Sequence, residues 1–447
     1  MNRFIPFLVL LFIALPLSAQ TVPGLLDLEG PALVSRAAVL MDAETGTVLY
    51  AKNPDEKIPP ASLTKLMTIH IALKEAAAAG LSLDKSITPP QESWAINQPY
   101  RSSLMFLAAG QTVSLRELLL GLAIPSGNDA AVAVALQFAP SVADFTELMN
   151  REARRLGLIA TRFVEPSGIS EDNMTTAMEF ARFCRIYLQQ HPETLAELHS
   201  VPEFAYPKIS NVAEAYHDRP GTIVQTNHNN LLKSFAGVDG LKTGYIDEAG
   251  YNIALTAERQ HTRFIAVILG APAAWRGDRI RDEDGQKLLS WAFENFRTIR
   301  PILGHIDSVR LWKGKAKFAE LRAGEAPEFT APAGRGAKLW FSTEISDPLI
   351  APLPVHYKAG DLILSDEQGE LRRIPLLTVK EYEQGNVFKR GWDSLRLFFR
   401  KLSRFQNSVS FGTGSWKSGL KSAFPLKSKV AVPKSDILEL PQLFHKK

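Results

Sequence analysis

The chain of 447 residues has an ordinary globular composition, with 45% hydrophobic and 22% charged residues. A chain of this length and composition is expected to bury a sizeable core and to form about three domains. Its net charge of +4 is too small to indicate nucleic-acid binding by itself, so no nucleic-acid partner is predicted. Cys184 is the only cysteine, which excludes an intramolecular disulfide.

The N-terminal stretch has the pattern of a secretory signal peptide over residues 1–19. Arg3 supplies a positive charge, an apolar run follows over residues 4–15, and small residues precede a predicted cleavage after Ala19. The apolar run is shorter than the roughly 20 residues that span a bilayer, which argues against an uncleaved anchor. An exported chain without disulfides must fold on its core alone, which favours a large bacterial envelope protein.

The order of elements predicts an α+β domain over residues 30–297. Two β-rich runs within residues 37–53 surround a Glu-Thr-Gly turn and indicate a hairpin. From Pro59 to about residue 200 the patterns are helical. Ser114 is followed three residues later by Glu117, which predicts a capping box at the start of one of these helices.

Strand patterns return after Thr222. Residues 250–257 and 263–271 are predicted to form buried antiparallel strands, closed by a helix over residues 285–296. Because strands occur at both ends of the domain and helices in its middle, we expect an antiparallel sheet combined with a helical subdomain.

The pattern changes again from residue 304. Short apolar runs separated by Gly, Pro and Asp predict a small all-β domain over residues 304–381. An amphipathic helix is predicted over residues 386–405. The remainder, residues 406–447, is rich in Ser, Gly and Pro and contains seven lysines, so we expect a basic, disordered tail.

The helix predicted over residues 386–405 has an aromatic face and a basic face. Such a helix suits the interface of a membrane that contains anionic lipids. The alternative is a helix that docks on its own protein, but docked helices rarely carry so uniform a basic face. The apolar face comprises Phe388, Trp392, Leu395, Phe398, Phe399, Leu402 and Phe405, and the basic face comprises Arg390, Arg396, Arg400, Lys401 and Arg404.

Three short motifs occur in order along the α+β domain. Ser62-Leu63-Thr64-Lys65 opens a predicted helix, Ser126-Gly127-Asn128 lies between helices, and Lys242-Thr243-Gly244 begins a predicted strand. Each motif alone is weak evidence for a catalytic site. S-x-x-K, for example, occurs three times in the chain, and its residues are common helix caps and surface side chains. Their order and placement together make the set specific.

Ser62 and Lys65 have the chemistry of a nucleophile and its base. A serine hydroxyl needs an adjacent base at neutral pH, and residues three apart share one face of a helix. The same face carries Leu66, Ile69 and Leu73. Burial among these side chains is therefore expected to lower the pKa of Lys65 toward the working range of a base.

The other motif residues can supply the remaining functions of such a site. Lys242 is a candidate second cation beside the base, and together with Thr243 it can bind a substrate carboxylate. Ser126 can pass a proton to the leaving group, and Asn128 can hold the substrate amide or orient the base. The backbone N–H groups of the nucleophilic serine and of Tyr245 can form an oxyanion hole.

The chain resembles the low-molecular-mass penicillin-binding proteins that act as serine-type D-alanyl-D-alanine carboxypeptidases. The resemblance rests on "MDAETGTVLYAKNPDEKIPPASLTKLMT", "AIPSGNDAAVAVA" and "VDGLKTGYIDEAGYNIALTA", and it extends over nearly the whole chain. It implies a penicillin-binding/β-lactamase-like transpeptidase domain in which Ser62 is acylated, Lys65 accepts its proton and Ser126 transfers a second proton. Arg281, in "RDEDGQKLL", is similar to an arginine that the family places near the substrate's terminal carboxylate.

The resemblance also implies a reaction, partners and a location. The reaction is hydrolysis of the terminal D-Ala from peptidoglycan stem pentapeptides through an acyl-enzyme on Ser62, without a metal or an organic cofactor. β-Lactam antibiotics are implied to acylate the same serine as substrate mimics. The family's C-terminal domain and anchor resemble residues 304–381 and 386–405, which implies a periplasmic protein attached peripherally to the anionic outer face of the bacterial inner membrane.

Departures from the family pattern keep two other functions open. Tyr245 and Ile246 replace the His and the Thr or Ser that commonly follow K-T-G, and Glu165 replaces a residue that is usually Asn. A loop glutamate activates the deacylating water in class A β-lactamases, so a β-lactamase is one alternative. The lack of an E-x-x-x-N continuation argues against it. The other alternative is a β-lactam-sensing protein that binds peptidoglycan without turnover.

Overall fold

The computed structural model describes residues 28–304, 306–336 and 338–409. The predicted signal peptide and most of the predicted basic tail lie outside these residues. The chain divides into two compact units. The first unit runs up to Ile302 and includes Glu328–Gly336, and the second unit comprises Leu303–Pro327 and the described chain from residue 338 onward.

The β-strands of the described residues are numbered in chain order. They are β1 (Ala37–Asp42), β2 (Val48–Lys52), β3 (Ser86–Ile87), β4 (Val113–Ser114), β5 (Glu203–Tyr206), β6 (Ile223–Thr226), β7 (Val238–Ile246), β8 (Gly250–Arg259), β9 (Thr262–Ala271), β10 (Phe296–Ile299), β11 (Val309–Trp312), β12 (Phe318–Ala319), β13 (Leu321–Ala323), β14 (Phe329–Pro332), β15 (Trp340–Ile345), β16 (Leu349–Ile350), β17 (Lys358–Asp366) and β18 (Gly369–Thr378).

The α-helices of the same residues alternate with these strands. They are α1 (Thr64–Ala78), α2 (Leu115–Ala123), α3 (Asn128–Phe138), α4 (Val142–Arg155), α5 (Ala177–Gln190), α6 (Leu231–Ser234), α7 (Gly277–Asn295) and α8 (Val387–Val409).

An antiparallel sheet with the strand order β2-β1-β9-β8-β7 organises the first unit. Alternate residues of β9 face opposite sides: Val267 and Leu269 belong to the core shared with the helices, while Ile268 lies near α7. Burial of both faces explains why the strand sequences are almost continuously apolar. The predicted hairpin and the two predicted strands are confirmed, and β7 forms the outer edge of the sheet beside the motif serine.

The helical part of the first unit surrounds α1. Residues Thr64–Ala72 of this helix are all buried, as expected for a helix that is apolar almost all round. The capping box between Ser114 and Glu117 is present at the start of α2. The last helix of the sheet layer, α7, begins at Gly277 rather than at the predicted residue 285. The sequence prediction missed its first two turns because they are rich in charged residues and carry no apolar run.

The second unit is β-rich. Its main sheet has the antiparallel order β13-β18-β17-β15, and a smaller sheet has the order β12-β11-β16. The strand β14 lies within the same stretch of sequence but belongs to the first unit, where it pairs with β10 through Phe296–Ile299. The α+β class with a following β-rich region is thus the observed architecture.

The terminal helix α8 leaves its apolar face exposed. Phe388 is 88% exposed, and Trp392, Phe398 and Phe399 are each more than half exposed. No helix within the described ranges is both long and apolar enough to cross a membrane.

Polar side chains hold α8 against the rest of the second unit. Asp393 is buried and accepts a hydrogen bond from the backbone N–H of Lys313 at 2.8 Å. Arg400 donates two hydrogen bonds to Asp347. The helix therefore contacts its own protein through polar groups and presents its aromatic groups to solvent.

Candidate active site

Ser62 lies in a 3₁₀ turn, Ala61–Leu63, that leads into α1 at Thr64. The turn interrupts the helix predicted directly after the two prolines, because Ala61 has a φ of +50°, outside the α-helical range. Asn252 of β8 donates a hydrogen bond to the carbonyl oxygen of Pro59 at 2.9 Å. The sheet thereby fixes the turn that carries the serine, whose side chain remains partly exposed.

Lys65 is fully buried and reaches three oxygen atoms through its Nζ. The distances are 3.0 Å to Oγ of Ser62, 2.8 Å to Oδ1 of Asn128 and 2.6 Å to the carbonyl oxygen of Ser167. The amide and carbonyl oxygens can only accept, so both N–H bonds of a neutral amine point to them. The lone pair of the neutral amine is then left to accept the hydroxyl proton of Ser62.

The pKa of Lys65 supports the neutral amine. Burial lowers this pKa to about 7, while the carboxylates of Glu165 and Asp129 act in the opposite direction. The cause is that a buried ammonium loses its hydration. A lysine with a pKa of about 7 is deprotonated to a large extent near neutral pH, which is the range in which a general base works best.

Ser126 places a hydroxyl in the site without a partner. Its Oγ is buried and has no hydrogen bond within the described part of the chain. Its backbone has a φ of +63°, in the left-handed region that non-glycine residues rarely adopt. A buried, unsatisfied hydroxyl costs free energy, so its retention in a strained turn indicates a group reserved for a ligand or a proton.

Asn128 and Asp129 fix the loop that carries Ser126. The buried carboxylate of Asp129 accepts backbone hydrogen bonds from Met105 and from the two residues that follow it. A Cβ on Gly127 would lie 2.6 Å from this carboxylate and 2.9 Å from the N atom of Met105. Only glycine therefore fits between the loop and its anchor, and Asn128 is held where its side-chain oxygen meets Lys65.

The segment Lys242-Thr243-Gly244 runs along β7 beside the serine. A Cβ on Gly244 would lie 2.9 Å from the backbone N atom of Ser62, so glycine allows the strand to approach the turn. The Nζ of Lys242 is buried and donates to the carbonyl oxygen of Thr243 at 3.0 Å. Burial, and then the charges of Lys65 and Arg281, lower the pKa of Lys242 well below its ordinary value. We call the space between β7 and the loop Ser126–Asn128 the cleft.

Tyr245 lies at the outer end of the cleft. It is 40% exposed, its ring lies 4.2 Å from that of Tyr251, and its hydroxyl donates to Asp247. Because β7 is the edge strand, the N–H groups on its outer side have no neighbouring strand to bind within the described part of the chain. The residue directly before Tyr245 is Gly244, which is the part of β7 that approaches the N atom of Ser62.

Arg281 comes from α7 and reaches the same region as Lys242. It is buried and donates two hydrogen bonds to its neighbour Asp282. Its charge contributes to the lowered pKa of Lys242, which places it near the lysine. Two basic side chains thus lie at this end of the cleft, where an anionic group of a ligand would favour their protonated forms.

His228 is a candidate site residue that the sequence motifs did not indicate. Partial burial, and then the charges of Lys242, Arg281 and Lys65, lower the pKa of His228 to about 4. Its neighbours fix its position, because Asn229 donates to the carbonyl oxygen of Gly240 at 3.3 Å, two residues before the lysine of K-T-G. The asparagine-rich stretch around His228 was the only signal in the sequence.

Glu165 organises the loop that supplies the third acceptor for Lys65. One carboxylate oxygen accepts from the backbone N–H and the hydroxyl of Ser167, both at 2.6 Å. The other accepts from the N–H of Gly168 at 2.6 Å and from Asn173 at 2.7 Å. Both oxygens are therefore engaged within their own loop, which fits a structural role better than that of a base for water.

Known protein families and structures resemble this chain over the segments just described. Residues 27–273 match the family described as D-alanyl-D-alanine carboxypeptidase. The D-alanyl-D-alanine carboxypeptidase DacC of Escherichia coli (strain K12) is 36% identical over 380 residues, which cover 83% of this chain and 90% of that protein. The family match includes the three motifs and ends before Arg281.

Two solved structures share the fold. Penicillin-binding protein 5 from Haemophilus influenzae has a TM-score of 0.70 at 29% identity, covering 80% of this chain and all of that chain. Penicillin-binding protein D2 from Listeria monocytogenes, in its cefotaxime-bound form, has a TM-score of 0.50 at 31% identity, covering 59% of this chain and 98% of that chain.

Proposed function

The chain belongs to the family of D-alanyl-D-alanine carboxypeptidases and is a serine-type hydrolase of that family, and we propose that it removes the terminal D-Ala from peptidoglycan stem pentapeptides by acylation of Ser62. One observation carries this assignment of the nucleophile. Lys65, with a lowered pKa, lies 3.0 Å from Ser62 while two other acceptors occupy its N–H bonds.

Acylation begins with proton transfer from Ser62 to the neutral amine of Lys65. The serine oxygen attacks the carbonyl carbon of the penultimate D-Ala, and the carbonyl oxygen becomes an oxyanion. The N–H groups of Ser62 and Tyr245 donate to this oxyanion. As the C–N bond breaks, Ser126 passes a proton from the lysine to the departing amine, which leaves as free D-Ala.

Deacylation repeats these roles with water as the nucleophile. Lys65 accepts a proton from the water, whose oxygen attacks the ester carbon, and the same oxyanion donors act again. When the ester C–O bond breaks, the proton returns to the oxygen of Ser62. The products are the shortened peptide and the free enzyme.

The cations beside the cleft account for the specificity for a free C-terminus. We assign the terminal carboxylate of the substrate to Lys242, Thr243 and Arg281, with His228 as a further neighbour. Burial, and then the charges of Lys65 and Arg281, lower the pKa of Lys242, and a bound carboxylate would favour its protonated form. Asn128 positions Lys65 and can also hold the substrate amide.

β-Lactams fit the same site as mimics of the D-Ala-D-Ala terminus. A β-lactam presents an acyl carbon and a carboxylate, so it uses the same nucleophile, oxyanion donors and cations. The carboxypeptidase interpretation is supported by the family and by its relatives, whereas the β-lactamase alternative is not. Glu165, the residue on which that alternative depends, is engaged within its own loop.

Intact-protein mass spectrometry after incubation with penicillin tests the nucleophile, together with an assay for D-Ala released from a pentapeptide. The wild-type protein should gain one penicilloyl group and release D-Ala, and Ser62→Ala should do neither. Ser82→Ala is the matched control, because Ser82 and Lys85 also fit S-x-x-K. A protein that binds penicillin covalently but frees no D-Ala would defeat the proposal in favour of a sensing module.

We further propose that residues 30–297 form the catalytic domain, that residues 304–381 are an accessory β-domain, and that the helix over residues 386–405 attaches the protein to the periplasmic face of the inner membrane. The exposed aromatic face of α8 supports this location. Its polar contacts to Lys313 and Asp347 leave that face available. Aromatic groups favour the membrane interface, and the basic groups of the helix favour anionic lipids.

Co-sedimentation with vesicles tests this attachment on the purified protein. Binding should be stronger with vesicles containing phosphatidylglycerol than with phosphatidylcholine alone. Replacement of three exposed aromatic residues of α8 by Gln should abolish it, whereas three similar replacements elsewhere should not. The test set is Trp392, Phe398 and Phe399, and the control set is Ile159, Ile209 and Tyr216. Equal binding by both variants would reject the anchor.

A further inference from the structure

A loop opposite β7 is fixed rigidly on the helical side of the cleft. Asn128 donates from its backbone to the carbonyl oxygen of Ser103 at 2.8 Å and from its side chain to Oγ of Ser102 at 3.1 Å. The carboxylate of Asp129 holds three consecutive backbone N–H groups further along the same loop. The residue directly before Ser102 is therefore held close to the site.

That residue is Arg101, which has no counter-charge among the described residues. Its side chain is exposed and makes no hydrogen bond or ion pair with another described residue. Its backbone has a φ of +67°, a left-handed conformation that is rare for a residue with a Cβ. A strained backbone fixed by an active-site asparagine suggests that the position of this guanidinium serves a purpose beyond folding.

Arg101 lies on the helical side of the cleft, because Ser102, the residue directly after it, accepts a hydrogen bond from Asn128 at 3.1 Å. The hydrogen bond to Asp247, with partial desolvation, raises the pKa of Tyr245 to about 12, and the charge of Arg101 acts in the opposite direction. This effect agrees with the position of the loop, which the hydrogen bonds from Asn128 to Ser102 and Ser103 hold beside the site. The entrance of the cleft is thus bounded by a cation on the helical side and by the adjacent, tilted rings of Tyr245 and Tyr251 on the strand side.

The two ends of the cleft receive different parts of a bound peptide. The cations Lys242 and Arg281 mark the end that takes the terminal carboxylate under the proposed function. From Lys242 to Tyr245 the strand advances roughly 10 Å, at about 3.3 Å per residue. Because the N–H of Tyr245 binds the carbonyl oxygen of the penultimate residue in the proposed mechanism, only the last residue of a peptide extended along β7 lies between these positions, and the chain before it continues past Tyr245 to the entrance. The side chain of the third residue of the stem therefore reaches the entrance beside Arg101.

We propose that Arg101 selects stem peptides whose third residue carries a carboxylate on its side chain, as diaminopimelate does, over those that carry only an amine, as lysine does. The inference rests on the proposed function and deepens it. A guanidinium binds a carboxylate through two parallel hydrogen bonds. A diaminopimelate side chain also ends in an ammonium, but the carboxylate on the same carbon can pair with the guanidinium, whereas a lysine side chain offers only an ammonium, which the guanidinium repels. One residue can therefore favour the peptide with diaminopimelate, called the acidic peptide below, over the peptide with lysine, called the basic peptide.

The test compares two pentapeptides that differ only in their third residue, diaminopimelate or lysine. D-Ala release by the wild-type protein, Arg101→Gln and Arg101→Lys gives kcat/KM for each peptide. The ratio of kcat/KM for the diaminopimelate peptide to kcat/KM for the lysine peptide should fall about 10-fold in Arg101→Gln. Arg101→Lys should retain part of the wild-type preference. Arg182→Gln is the matched control, because Arg182 is also an exposed arginine with no ion pair among described residues.

The outcomes separate this inference from the proposed function. If the ratio falls because KM for the acidic peptide rises, the result supports carboxylate recognition by Arg101. An equal loss for both peptides in Arg101→Gln, or no loss for either, overturns it, since the residue would then serve the loop or another carboxylate of the stem. Failure of the wild-type protein to release D-Ala from either peptide would instead reject the proposed function.

Discussion

The Nζ of Lys65 lies 2.6 Å from the carbonyl oxygen of Ser167, closer than it lies to Oγ of Ser62 at 3.0 Å. The carbonyl oxygen can only accept, so it fixes one N–H bond of the amine and helps to aim the lone pair at the serine. The protonated amine would instead direct its third N–H bond to the serine oxygen. The protonation state of Lys65 therefore decides whether Ser62 can be activated.

Acylation should accordingly depend on pH through Lys65. Burial lowers the folded-state pKa of this lysine to about 7, so the reactive neutral form is lost as the pH falls below that value. The rate of acylation by penicillin should fall about 10-fold per pH unit below 7 and level off above it. Stopped-flow acylation between pH 5 and pH 9 measures this dependence. A rate that is constant from pH 5 to pH 7 would exclude Lys65 as the base.

Asn128→Asp should move this pH dependence to higher pH. The Oδ1 of Asn128 lies 2.8 Å from Nζ of Lys65, so a carboxylate there would stabilise the ammonium. An adjacent opposite charge raises a lysine pKa by about 1 to 3 units, so acylation at pH 7 should slow about 5-fold or more and recover only as the pH rises above the new pKa. Asn128→Ala is the control, since it removes the hydrogen bond without adding charge. If both variants lose activity equally at all pH values, Asn128 does not tune the base.

Gly168→Ala should damage the nucleophile's turn. Gly168 has a φ of +83°, and a Cβ there would lie 1.9 Å from the carbonyl oxygen of Ala61 and 2.9 Å from the N atom of Ser62. Backbone displacement of about 1 Å can cost 100-fold in rate, and we expect a loss of that order in acylation. The substitution should also lower the free energy of unfolding by about 2 to 4 kcal/mol.

Gly157→Ala is the matched control for that substitution. Gly157 has a φ of +75°, and nothing lies within 4 Å of the position of its Cβ. Its backbone strain should lower the free energy of unfolding by about 1 kcal/mol without changing acylation. Thermal unfolding and acylation rates are measured on both variants. They separate the effect of backbone strain, which both substitutions introduce, from the effect of a Cβ that contacts the turn of Ser62. Equal effects of the two substitutions would contradict a special role for Gly168.

The sequence predicted those parts of the fold that depend on local pattern. The length and continuity of the apolar runs predicted the strands β8 and β9, and the capping box at Ser114 marked the start of α2. The start of α7 was missed, since its first turns are charged and its buried Arg281 breaks the apolar pattern. The pairing of β10 with β14 was missed because the partners are distant in sequence.

The candidate site was predictable where side-chain identity carries the chemistry. Ser62, Lys65, Ser126 and Lys242 belong to motifs, and the structure brings them into one cleft. Contacts made by backbone atoms have no such signature, and the carbonyl oxygen of Ser167 is the clearest case. The φ of +50° at Ala61 was also unpredictable, since tertiary contacts rather than local preference hold the turn in that conformation.

Glu165→Gln distinguishes a loop carboxylate that supports the base from one that activates water. The carboxylate accepts hydrogen bonds from Ser167, Gly168 and Asn173, and an amide cannot accept all of them. The variant should therefore lose about 1 to 3 kcal/mol of unfolding free energy. Glu165 also raises the pKa of Lys65, so its neutralisation should lower that pKa and shift the acylation profile toward lower pH.

The lifetime of the penicilloyl adduct decides between the two roles of Glu165. If Lys65 serves as base in both half-reactions, the adduct of Glu165→Gln should decay at a rate within about three-fold of the wild-type rate. The comparison is made at a pH above the midpoints of the acylation profiles of both proteins. A general base for the deacylating water would contribute about 100-fold or more. A long-lived adduct formed at an undiminished acylation rate would therefore assign the water to Glu165, and the loop would then be part of the chemistry rather than its support.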